Sequence, residues 1–185
     1  MEKLKGTEFA LSVINKFYEP GTPGYESLVD HSKLVRDKAL EIASGHPELD
    51  LDMEFIEEGA MLHDVGVFLC HAPGIHCFGK EHYMRHGVLG AALLREMGYE
   101  RHARVCERHT GSGLTAEEIK QAGLPLPHID LLPESDEEKI ICLADKYYSK
   151  SKPGVEKSLS KILKSMAKYG EKTLERFEIL CKNYL

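Results

Sequence analysis

Tryptophan is absent from the 185 residues, and the five cysteines (70, 77, 106, 142 and 181) are odd in number and include no CxxC pair. That usage argues against a disulfide framework and fits a reduced, cytoplasmic setting. No apolar run approaches the roughly 20 residues that cross a bilayer, and Met1–Lys5 opens no signal peptide, so no membrane association is expected. Positive charge is not in excess. At a net −6 the chain has no overall pull towards a nucleic acid polymer or an anionic membrane. Fixed-period repeats and low-complexity stretches are also lacking. With 42% hydrophobic and 29% charged residues, the balance argues against both intrinsic disorder and a rod. One globular domain over residues 1–185 is expected. What the chain does hold in quantity is histidine, ten in all.

No segment alternates strictly enough to be read as a strand. Turn signals fall at Pro20 to Gly24, Cys70 to Lys80, Leu124 to Pro133 and Ser151 to Gly154. Between them the apolar spacing is helical. Leu34, Val35, Ala39, Ile42 and Ala43 form one stripe. Phe55, Ile56, Gly59, Ala60 and His63 form another, ended by Gly66. Leu89, Leu93 and Met97 form a third, with Gly98 as its stop. Two capping boxes, Thr115 with Glu118 and Ser135 with Glu138, open further helices. Residues 155–185 read as a C-terminal helix packed on the domain, with lysines 157, 161, 164, 168 and 172 on its solvated face and Gly170 as a candidate break. The expectation is an all-α bundle of about seven or eight helices.

Six titratable residues lie on the inward stripes. His31 precedes Val35 by one turn, and His63 continues the line of Ile56 and Ala60, with Asp64 next to it. His86 aligns with Leu89, Leu93 and Met97, His109 with Val105 and Cys106, and Asp145 follows Ile141 by one turn. A single histidine on an apolar face is ordinarily a satisfied core residue. A buried carboxylate is harder to dismiss, because without a partner it costs several kcal/mol or gives up its charge. Four His and two Asp pointing inward together are most simply relieved by a multivalent cation. Imidazole with carboxylate suits Zn, Fe, Mn, Ni or Co rather than Ca. Neighbours in mid-helix rarely share a partner, but at a helix end beside Gly66 both His63 and Asp64 can converge on one ion.

The ordered set His31, His63-Asp64, Asp145 resembles the H…HD…D signature of the HD-domain metal-dependent phosphohydrolases. The surroundings are similar too, in "GAMLHDVG", "HGVLGAALLREMG", "ERHTGSGLT" and "EEKIICLADK". The resemblance runs from about residue 28 to 150 and implies an all-helical fold with metal held in its core. It implies that His31, His63, Asp64 and Asp145 hold a first divalent transition metal ion. His86 and His109 resemble the extra pair of two-metal members, with Asp64 bridging, and the "RHTG" segment is similar to a group that hydrolyses diadenosine tetraphosphate symmetrically. Val67 stands where the cyclic dinucleotide phosphodiesterases carry Lys, and no GYP tripeptide follows, so cyclic di-GMP is set aside.

Hydrolysis of a phosphate ester or anhydride, with a nucleotide as the small-molecule substrate, is the function so implied. Metal-activated water would attack phosphorus, which requires positive charge around the phosphate oxygens. Arg108 and Lys146, each beside a ligand, are the first candidates to supply it. Lys80 and Arg85 are weaker substrate-binding candidates of the same kind. Competing readings are a di-iron oxygenase using the same six ligands and a catalytically silent nucleotide-binding sensor. The loop holding Cys70, His71, His76 and Cys77 carries the ligand types of a structural zinc site. Adjacent ligands chelate poorly, however, and a lid over the active site is the favoured reading. His82 is second to the ligands or exposed, and His46, His102 and His128 have no assigned role. A homodimer through the C-terminal helix is one further expectation.

Overall fold

The computed structural model describes residues 4–185. The fold is all-α. Its helices are α1 (Gly6–Ile14), α2 (Pro23–Ser44), α3 (Met53–Leu62), α4 (His86–Glu96), α5 (Glu100–Arg108), α6 (Ala116–Gln121), α7 (Asp136–Asp145), α8 (Leu159–Met166) and α9 (Glu171–Tyr184). The count exceeds the seven or eight expected for two reasons. The weakly patterned α1 forms, and the tail divides into α8 and α9 at Gly170, whose φ of 109° ends any helix there. A small hairpin also departs from the strand-free expectation: β1 (His71–Ala72) pairs antiparallel with β2 (Cys77–Phe78).

Local chemistry sets most of the boundaries. Thr22 caps α2 through Tyr25 N, with Pro23 in the first turn, and Asp52 accepts from Phe55 N at 3.0 Å to open α3. Thr115 and Glu118 form the reciprocal capping box expected of them. Ser135 and Glu138 form only half of theirs. Ser135 accepts from Glu138 N, but the Glu138 carboxylate accepts instead from Glu134 N at 2.7 Å and from Arg104 at 2.7 Å.

Two apolar cores meet along α2 and α3. One gathers Val35, Ala39, Phe55, Ile56, Ile140, Ile141, Ile162 and Phe177, so that α8 and α9 pack on the same core as α2, α3 and α7. The other gathers Phe9, Ile14, Leu28, Met61, Leu62, Leu94 and Cys106 around α1, α4 and α5. Each fully buried aliphatic side chain contributes about 1.5–3 kcal/mol, as an upper bound. His31, between Leu28 and Val35 on α2, stands at the junction of the two cores, and so does His63, just beyond Ala60 and Leu62. Polar ties fasten the periphery. Gly6 N donates to Glu58 at 3.0 Å, and Glu58 also pairs with His102 at 2.9 Å, which gives that histidine a structural role between α5 and α3. His46 likewise pairs with Glu48 and lies edge-on to Tyr184 at the end of α9.

Glycines let the site-bearing backbones close on one another. A Cβ on Gly66 would lie 2.4 Å from both Gly90 N and His86 O, and one on Gly87 would lie 2.4 Å from Cys106 O. The chain after Asp64 is therefore pressed onto α4, and α4 onto α5. All five cysteines are free. Among the described residues, no helix is long and apolar enough to cross a membrane.

Candidate metal centre

His31 projects from the middle of α2, and the other five side chains sit at helix ends. His63 caps the C-terminus of α3 and Asp64 follows it. His86 begins α4, His109 caps α5 and Asp145 ends α7. Helix ends suit the task, because their backbones leave the helical path and let neighbouring side chains converge. Asp64 has φ −110° and ψ 11°, outside the helical region.

The six side chains form two overlapping groups whose ligand atoms all lie within 4.8 Å of one another: His31, His63, Asp64 and Asp145, and then Asp64, His86 and His109. The carboxylate of Asp64 faces both. Its Oδ2 lies 2.8 Å from His63 Nε2 and 3.3 Å from His31 Nε2. Its Oδ1 lies 3.2 Å from His86 Nε2 and 3.5 Å from His109 Nε2. Asp145 Oδ1 completes the first group, 3.1 Å from His31 Nε2 and 3.5 Å from His63 Nε2.

The tautomers fit a cation. His63, His86 and His109 each direct Nδ1 at the carbonyl three residues earlier, Ala60, Tyr83 and Cys106, at 2.6, 2.7 and 2.7 Å. A carbonyl only accepts, so each Nδ1 carries a proton and each Nε2 is turned inward, as a lone pair wherever the ring is neutral. Nε2 of His86 and Nε2 of His109 then face each other as two lone pairs at 3.1 Å. His63 Nε2 and both oxygens of Asp64 are buried with no hydrogen-bond partner of adequate geometry. Orphaned buried acceptors of this kind are costly, and a metal ion satisfies all of them at once.

The electrostatics divide the histidines. Burial pulls the His63 imidazole down, but the charges of Asp64 and Asp145 outweigh it and raise the group to about 9. Burial, with His109 adding to it against the pull of Asp64, lowers His86 to about 4. Burial also lowers His109. Burial opposes ionisation of Asp64, yet His63 and Lys150 hold its carboxyl well below the usual range. Asp145 is held low in the same way, against burial, by Lys146 and the two histidines.

The remaining site candidates are placed differently. Lys146 Nζ reaches Asp145 Oδ2 at 2.6 Å and His109 O at 3.0 Å, so it belongs to the centre. Arg108 does not reach the six ligands. Its guanidinium donates to Leu132 O at 2.8 Å and Glu134 at 2.6 Å, fastening α5 to the segment ahead of α7. Arg85 is spent on an ion pair with Glu81, one turn away, and Lys80 is exposed. His82 caps the turn ahead of α4 by accepting from Met84 N at 3.2 Å. Two contributors went unread in the sequence. Lys150 Nζ makes a short contact with Asp64 Oδ2, and the ring of Tyr83 stacks on His86 with centroids 4.8 Å apart. Lys150 lies beyond the end of α7, where helical periodicity no longer indicates direction.

The HD-domain family profile matches residues 28–149, which contain all six converging side chains. The chain belongs to the HD-domain family. An uncharacterized protein of Methanocaldococcus jannaschii is 37% identical to this HD-domain chain over 123 residues, 65% of each chain. Two tRNA (cytidine(56)-2'-O)-methyltransferases are also similar. That of Picrophilus torridus is 33% identical over 66% of this chain and 31% of its own length. That of Thermoplasma volcanium is 31% identical over 75% of this chain and 36% of its own length. The shared stretch thus spans just under two thirds of the first relative and about a third of each methyltransferase. No solved structure matches significantly.

Proposed function

We propose that this HD domain hydrolyses a phosphate ester or anhydride, with a nucleotide as the substrate class, at a binuclear centre bridged by Asp64. The observation that carries the reading is the double facing of Asp64, with His31, His63 and Asp145 on the Oδ2 side and His86 with His109 on the Oδ1 side. A carboxylate so placed is suited to bridge two divalent ions of the Fe, Mn, Zn, Co or Ni type. His31, His63, Asp64 and Asp145 would hold one such ion and Asp64, His86 and His109 the other, and the chemistry they would supply is a water-derived nucleophile at neutral pH and screening of charge on phosphate.

The chain's own groups prepare that chemistry. The three Nδ1–H bonds to backbone carbonyls fix the ring orientation and aim each Nε2 inward. Lys146 steadies Asp145 and uses two of its three N–H donors on Asp145 and His109 O. The third is free to meet a phosphate oxygen. Lys146, rather than Arg108, Arg85 or Lys80, is therefore the cation of this group assigned to the substrate.

The test is metal analysis of protein purified without added metal, followed by a screen of nucleotides with each divalent ion. Close to two ions per chain with phosphate or nucleotide release is expected. Iron with oxygen uptake and no phosphate release would instead indicate a di-iron oxygenase. Nucleotide binding without turnover under any metal would indicate a silent sensor.

A further inference from the structure

Four lysines follow α7 before α8 begins; Lys152 is exposed, and Lys146 and Lys157 are held by hydrogen bonds to their neighbours. Lys146 is held by Asp145 and the His109 carbonyl. Lys157 donates to the carbonyls of Lys146 and Tyr148 at 3.2 and 2.9 Å, which pins the segment back upon itself. Lys150 differs. Its side chain is only 12% exposed, and its ion-pair partner among the described residues is Asp64 Oδ2, an oxygen that both His31 and His63 also face. Its neighbours are Tyr83 and Asp145. Tyr83, 37% exposed, is stacked on His86.

An ammonium on that oxygen and a divalent ion bound through it compete for the same lone pairs and repel each other. A lysine stem is flexible enough to swing its charge outward by several bonds without moving the backbone. We propose that Lys150 is a tethered counter-cation of the metal centre. It neutralises Asp64 when the first site holds no ion, and yields that oxygen to the metal and presents its ammonium to the substrate phosphate once the site is filled. The metal half of this inference stands on the contact with Asp64 alone. The phosphate half rests on the phosphohydrolase reading.

The experiment compares the full chain with Lys150→Gln, Lys150→Arg and the control Lys152→Gln, which removes a charge from an exposed position in the same segment. Chelator-treated proteins are titrated with Co2+ and followed by visible absorption. Lys150→Gln should bind Co2+ about tenfold tighter, while Lys150→Arg and Lys152→Gln stay within about twofold of the parent. Co2+-loaded proteins are then titrated with inorganic phosphate, for which Lys150→Gln should bind about tenfold more weakly and Lys150→Arg should retain most affinity. Unchanged or weaker Co2+ binding in Lys150→Gln, or an equal gain in Lys152→Gln, overturns the counter-cation. Tighter Co2+ binding with unchanged phosphate affinity overturns the phosphate role. If the Co2+-loaded parent itself binds no phosphate, the phosphohydrolase reading fails while the cobalt shift still decides the counter-cation.

Discussion

The two halves of the centre share Asp64 and little else. The half formed with His31, His63 and Asp145 holds two carboxylates, is flanked by Lys146 and Lys150, and keeps His63 ready to protonate up to about 9. The half formed with His86 and His109 has Asp64 as its only carboxylate, and burial keeps both imidazoles neutral, His86 down to about 4. The first half attracts cations of any kind, protons and ammonium included. The second presents preorganised neutral ligands with less charge behind them. Divalent ions should therefore fill the first half more tightly but in competition with protons, and the second more weakly with little such competition at neutral pH.

The largest expected effect removes the shared member. Asp64→Ala should abolish activity and bring bound metal close to zero in both halves, as read by elemental analysis. Metal content equal to the parent's would dissolve the bridge. Next is Gly66→Ala, whose Cβ meets Gly90 N and His86 O. Forcing the two segments apart should cost about 3 kcal/mol in chemical denaturation and weaken the His86 half before the other. His109→Ala should then lower metal content by one ion and leave the first half loaded. Loss of both ions would show the halves to be one cooperative site.

A smaller effect comes from pH, measured on chelated protein. His63 is raised in the folded state, so its contribution is complete below about 6.5 and fades as pH climbs towards 9. His86 is lowered, so its contribution is complete above about 6.5 and is lost as pH falls towards 4. The melting temperature should therefore peak near pH 6.5, and a saturating metal should flatten the alkaline side. A profile that declines on neither side would erase the contrast. The smallest effect is His82→Ala, which uncaps the turn ahead of His86 and should cost about 1 kcal/mol with a slight loss of metal from the second half only.

The helices and the inward stripes were legible because burial imposes the 3.6-residue period that Val35, Ile56 and Ile141 display. The convergence of His31, His63, His86 and His109 could be read for the same reason, since each continues an apolar line into the core. Adjacency in sequence was a poorer guide. Arg108 and Lys146 each neighbour a ligand, yet a residue at the end of α5 turns towards Glu134 while one just past α7 folds back on Asp145. Nothing local separates the two, because the partner Glu134 is set by tertiary packing. Lys150 was invisible for a related reason: its reach to Asp64 depends on a segment held by Lys157, which no periodic pattern encodes. Glu138 shows the same competition in a cap, where Arg104 and Glu134 N draw the carboxylate off the expected capping box.

One consequence concerns the chain as a polymer. His31 and Asp145 meet across 114 residues of sequence. An ion held by both would tie that span together in the folded state, and its binding free energy would add to the stability of the fold. A protein whose cysteines are all free would thus obtain a clasp across its fold from the His/Asp cluster. Chelation would then be felt as a loss of global stability as well as a change at the site itself.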